Sequence, residues 1–101
     1  MELVDIVPST KQAKKFMAIF RDGAKTFRVH FGAASYMDYT LYRKKVSSQN
    51  ARAKRDQYIA RHGATEDWSD PTTPATLSRY ILWEEPTVNA AVKAYRQRFG
   101  V

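Results

Sequence analysis

Asp22-Gly23, set between two runs of alternating apolar residues, constrains this chain more than any other feature. Phe16, Ala18 and Phe20 alternate before it; Phe27, Val29 and Phe31 alternate after it. A period of two puts each set on one face of a strand, and Asp-Gly favours the positive φ of a tight hairpin turn. The pattern predicts a β-hairpin over residues 15–31. Pairing Arg21 with Ala24 places Ala18 opposite Phe27 and Phe16 opposite Val29, so the two apolar rows share a face. Met17, Ile19, Thr26, Arg28 and His30 fall on the other. One apolar sheet face must be covered, and the rest of the chain is expected to cover it with helices.

Ser47 or Ser48 can cap a helix over about 48–62, with Gly63 as a left-handed stop. Ala51, Arg55, Tyr58, Ile59 and His62 share one side of it, flanked by Arg52, Lys54 and Arg61. Thr73-Pro74 pairs a hydroxyl cap with Pro at the first helical position and opens a helix over 74–83, with Leu77, Tyr80 and Ile81 inward. Glu84-Glu85-Pro86-Thr87 breaks it. A last helix over 87–99 carries Val88, Ala91, Val92, Tyr95 and Phe99 at helical spacing, closed by Gly100. Residues 33–42 suit either a helix or an extended segment. Residues 1–14 read as a flexible lead-in and 15–101 as a single α+β domain, a hairpin followed by two to three helices.

Length and charge narrow the function. One hundred and one residues make one domain. There is no cysteine, which excludes disulfides, thiol nucleophiles and thiolate zinc sites. No apolar run approaches the ~20 residues of a membrane span, and the acids in residues 1–10 do not fit a signal peptide, so a non-secreted domain is expected. Seventeen Lys and Arg against ten Asp and Glu leave +7, and the excess is localised. Arg43, Lys44, Lys45, Arg52, Lys54, Arg55 and Arg61 face one acid, Asp56, within the same stretch. Such a segment is either a phosphate-tracking surface, whose binding weakens steeply with salt, or a solvated helix face. Tyr36, Tyr39, Tyr42 and Tyr58, interleaved with it, suit either base stacking or the edge of a core.

Other candidates are weaker. His30 and His62 lack the further ligands at short spacing that a metal site needs, and structural roles are expected. Glu66, Asp67 and Asp70 form an acidic loop whose residual alternative is Mg²⁺ binding by a nuclease; the ordinary reading is pairing with Arg or capping of the helix at Pro74. Trp83 belongs with a core, whereas Trp68, isolated in a polar loop, is a candidate protein contact together with Tyr36.

Several strings carry a resemblance: His30-Phe31-Gly32 with Tyr36-Met37-Asp38-Tyr39-Thr40, Arg55 through His62, Glu66 through Pro74, and Leu77-Ser78-Arg79-Tyr80-Ile81-Leu82-Trp83. In that order they resemble, over about residues 15–99, a family of short uncharacterised proteins encoded by large double-stranded DNA viruses of algae and amoebae. The resemblance implies a viral setting and one compact domain, and brings no activity, cofactor or catalytic residue. Two non-enzymatic expectations result. In the first, the seven Lys and Arg bind nucleic acid, DNA foremost, without sequence preference, at the genome, in the virion or in the infected cell's cytoplasm or nucleus. In the second, exposed aromatics such as Trp68 and Tyr36 dock a virion or host protein. No catalytic residue, metal or cofactor is assigned.

Overall fold

The computed structural model describes residues 1–101. Strands β1 (Glu2–Pro8), β2 (Lys14–Asp22) and β3 (Lys25–Ala33) form an antiparallel sheet in the order β1-β2-β3. Helices α1 (Tyr39–Lys45), α2 (Ser48–Gly63) and α3 (Pro74–Leu77) follow, then a π-helical segment at Ser78–Leu82 and α4 (Val88–Phe99). The architecture is α+β, and the hairpin is β2–β3.

The hairpin's register differs from expectation by two residues. Asp22 pairs with Lys25, so Phe20 faces Phe27, Ala18 faces Val29 and Phe16 faces Phe31. Its two-residue turn is therefore Gly23-Ala24. Gly23 has φ 61° and no other residue type in the chain has positive φ. A turn centred on Asp22-Gly23 would need positive φ at both positions, whereas one that starts with Gly needs it at Gly alone. A two-residue shift preserves which side each residue faces, so the apolar rows still coincide. Phe20 stacks on Phe27 at 5.4 Å between ring centroids.

The expected flexible lead-in is instead largely a strand. β1 pairs with β2, with a bulge between Leu3 and Asp5. The bulge disrupts the ladder, and Arg96 of α4 fills the gap: Nε and Nη2 donate to the Leu3 carbonyl at 3.2 and 3.1 Å, and Nη2 donates to the Val4 carbonyl at 3.1 Å. A side chain 93 residues away thus completes β1.

Each α-helix starts on a side-chain cap: Asp38 for α1, Ser47 for α2, Thr73 for α3 and Thr87 for α4. Gly100 ends α4 at φ 64°, as predicted. Gly63 does not act as a left-handed stop; it is the last residue of α2, and a Cβ there would lie 3.3 Å from the Trp68 ring. The helix predicted over 74–83 changes to π geometry after Leu77. Wider winding leaves less rotation per residue, which brings Leu82 to the same side as Leu77 and Ile81, and all three are buried.

The core lies between one sheet face and the C-terminal third of the chain. Leu3, Ala18, Phe20 and Phe31 meet Leu77, Ile81, Leu82, Ala91 and Tyr95. α2 contributes nothing to this cluster; its buried residues are Ala51 and Tyr58. The α1–α2 pair is therefore attached by polar and aromatic contacts, and that attachment shapes the site.

Candidate functional site

The basic stretch divides into two groups. Arg43 and Arg55 both use Tyr39, which is 2% exposed. Their guanidinium carbons lie 5.8 and 5.0 Å from its ring centroid. Arg43 Nη1 also donates to the Tyr39 hydroxyl, and Arg55 Nη1 donates to the Glu84 carbonyl at 3.3 Å. Arg55 thereby joins α2 to α1 and to the segment after the π turn, whereas the contacts of Arg43 stay within α1. Lys44, Lys45, Arg52, Lys54 and Arg61 are exposed and form no salt bridge. Lys54 alone among them has an aromatic neighbour, Tyr42, at 5.9 Å.

In the last helix Lys93 is exposed and forms no salt bridge, whereas its two arginines are engaged within the chain. Arg96 serves β1, and Arg98 lies 3.9 Å from Glu84 and over Tyr80 at 4.3 Å. Glu84 also pairs with Arg79, whose guanidinium lies between the Trp68 and Tyr80 rings at 5.2 and 4.7 Å.

The acidic loop turns inward on its own chain. Asp67 accepts from the Ser69 hydroxyl and backbone N–H, and Asp70 from the Thr72 backbone N–H and hydroxyl. Those bonds hold both carboxyls below the ordinary carboxylate range, the Ser69 hydroxyl leading for Asp67 and the Thr72 N–H for Asp70. Glu66 Oε2 bonds His62 Nδ1 at 2.9 Å, and Oε1 accepts from Trp68 Nε1 at 3.1 Å. No three His, Asp or Glu side chains converge as metal ligands. The helix at Pro74 is capped by Thr73 rather than by an acid. Trp68, expected as an outward contact, is half-buried and held by Glu66 and Arg79, because the loop folds back over Gly63.

A cleft of about 780 Å³ opens where the end of the β2–β3 hairpin, residues 35–38, α2 and the π segment meet. Its aromatic wall is a stack. Tyr58 lies between His62, at 4.1 Å, and Trp83, at 4.3 Å and 6° from parallel. Burial first, and then the Glu66 carboxylate, push the Tyr58 phenol up to about 12, against the opposing pull of Arg79 and Arg61. Tyr42 and Tyr36 complete the aromatic lining; Tyr36 is 72% exposed, more than any other large apolar side chain. Lys14, Lys15 and Arg61 supply cations. Lys15 is consumed by Asp38: Nζ donates to Oδ2 at 2.6 Å, with side-chain exposures of 12% and 3%. Asp38 also accepts from the Leu41 N–H as the α1 cap and from the Thr40 hydroxyl.

Of the four tyrosines first considered for stacking, Tyr39 is enclosed away from the cleft, whereas Tyr36, Tyr42 and the largely buried Tyr58 line it. His30 lies on the polar sheet face and bonds the Ser9 hydroxyl at 2.7 Å. Sequence reasoning missed Lys14 and Lys15. Their one local signal is a Lys-Lys pair at the start of an alternating strand.

Comparison with curated proteins and with solved structures found no match. The sequence does match a family of unknown function, DUF5754, over residues 4–62. The match runs from β1 to the last turn of α2, so it includes the strand that the string resemblance over 15–99 omits. It stops before the acidic loop, Trp83 and α4. With more than half of its length matched, the chain belongs to the family of unknown function DUF5754.

Proposed function

We propose that this chain is a small non-enzymatic module that binds nucleic acid, DNA foremost, without sequence preference through Lys44, Lys45, Arg52, Lys54 and Arg61. The observation that carries the proposal is the concentration of unpaired cations in one stretch; Lys11, Lys14, Lys25, Arg28 and Lys93 are exposed and unpaired too, but scattered along the rest of the sequence. Glu66, Asp67, Asp70 and Glu84 are bonded within their own chain, while these five cations, from the end of α1 through α2, have no carboxylate partner. Exposed, unpaired cations release counterions when they meet phosphates, and that term supplies most non-specific affinity. Arg55, bonded to the Glu84 carbonyl and lying over Tyr39, holds the segment to the rest of the domain. The setting that fits is viral, at the genome or in the virion, in the cytoplasm or nucleus of an infected cell, with no cofactor and no membrane partner.

Gel retardation of a short DNA duplex at ~50 mM salt tests the proposal. Micromolar protein retards it, and Lys44→Glu with Arg52→Glu weakens binding by about tenfold or more without unfolding the domain. No retardation overturns the reading. Divalent-dependent cleavage, abolished by Asp67→Asn, would make the protein a nuclease instead. The exposure of Tyr36 favours a second reading, in which the chain docks a virion or host protein. Recovery of one specific protein after nuclease treatment, lost in Tyr36→Ala, would support it.

A further inference from the structure

We infer that the cleft takes an unpaired nucleotide, so that the natural ligand is single-stranded nucleic acid and not intact duplex; this rests on the nucleic-acid reading above. The cleft brings together the two elements that single-strand binding needs, an aromatic ring for the base and cations for the backbone. Tyr36 lines it with most of its surface in solvent and belongs to no core cluster, so its ring is free to meet a base. Its neighbours in the lining include Tyr42 and the edge of the His62–Tyr58–Trp83 stack.

Charge selects the occupant. Five Lys, Arg, Asp and Glu side chains line the cleft: Lys14, Lys15, Arg61, Asp38 and Glu66. Asp38 is buried against Lys15, and Glu66 is bonded to His62 and Trp68. Lys14 and Arg61 remain, exposed and without a carboxylate partner. The charge left free is therefore positive, on α2 and on the first residue of β2, and suits a phosphate backbone. Ser35 and Ser78 add hydroxyls to the lining for a base edge. The wall containing Ser78 and Leu82 is the π-helical segment, a geometry found often at functional sites. A volume of about 780 Å³ falls within the range of ligand clefts. A base stacked inside a duplex has no free face to offer Tyr36, so duplex can use the outer cations but not the cleft.

Fluorescence anisotropy with three probes of equal length separates the possibilities: oligo(dT), an abasic deoxyribose-phosphate oligomer, and duplex. The full chain binds oligo(dT) at least about fivefold more tightly than the abasic oligomer, the lower end of one stacked base. Tyr36→Ala removes that preference and leaves duplex affinity unchanged, while its circular dichroism matches the parent. Arg61→Gln weakens oligo(dT) more than duplex. Equal binding of oligo(dT) and abasic oligomer, or no change in Tyr36→Ala, overturns the cleft assignment while leaving the basic-segment reading intact. Failure of all three probes to bind overturns both.

Discussion

Replacing Lys15 by Met removes the cation from a carboxylate that is 3% exposed. Asp38 would retain two neutral donors, the Leu41 N–H and the Thr40 hydroxyl, and lose the ammonium at 2.6 Å. An intact buried ion pair contributes little net stability, but removing one partner strands the other and costs about 3–5 kcal/mol. Against a total of about 5–15 kcal/mol for a domain, that is a large fraction. With a urea dependence of about 1.5 kcal/mol/M for a chain this small, the unfolding midpoint should fall by about 2–3 M. Circular dichroism at 222 nm follows it. The cycle closes with Asp38→Asn and the double variant. Asparagine still caps α1 and no longer needs the cation, so Lys15→Met should cost about 1 kcal/mol or less when Asp38→Asn is already present. A loss below about 1 kcal/mol for Lys15→Met alone would show that Asp38 is hydrated, and would refute the reading of this pair as a buried ion pair.

Gly32 has φ 79°, and a Cβ there would lie 2.7 Å from Leu82 Cδ1, whereas Gly23 has φ 61° and open space around it. Gly32→Ala should therefore destabilise by about 2–4 kcal/mol and Gly23→Ala by about 1; equal melting points for the two variants would rule out the predicted clash. Arg96→Ala removes the donors at the β1 bulge and should cost about 1–3 kcal/mol, with hydrogen exchange in β1 accelerating ahead of β2 and β3; uniform exchange across the sheet would contradict that role. The Tyr58 phenol, raised to about 12 from 10, favours the fold fully below pH 10, and this contribution disappears as pH rises through about 12. Tyr58→Phe should therefore show a shallower alkaline loss of stability than the parent, and parallel curves would refute the assignment.

The parts of the fold governed by local patterns were legible. Alternation at residues 16–20 and 27–31 defined the hairpin and its buried face, and Thr73-Pro74 marked a helix start correctly. The turn was misread because Asp-Gly resembles a central pair, although only Gly tolerates the required φ here. β1 escaped notice because Leu3, Val4, Ile6 and Val7 do not alternate across the bulge, and the carbonyls exposed there are satisfied by Arg96, at the far end of the chain. The helix α1 depends on Asp38, whose cation comes from 23 residues upstream. For the site, the cations were visible by type but their availability was not. Arg55 and Lys54 are adjacent in sequence; one bonds a carbonyl 29 residues away and the other faces solvent. The cleft joins segments from residue 14 to residue 83, so no local string could reveal it.

The salt dependence of binding tests the central claim most directly. Contact through the five cations of the α1–α2 segment predicts a log–log slope of about −4 to −5 for duplex and about −3 to −4 for a single strand. Lys44→Glu with Arg52→Glu should make either slope shallower by about 1.5–2. An affinity that hardly changes between ~50 and ~200 mM salt, or a slope unaffected by those two substitutions, would contradict the account.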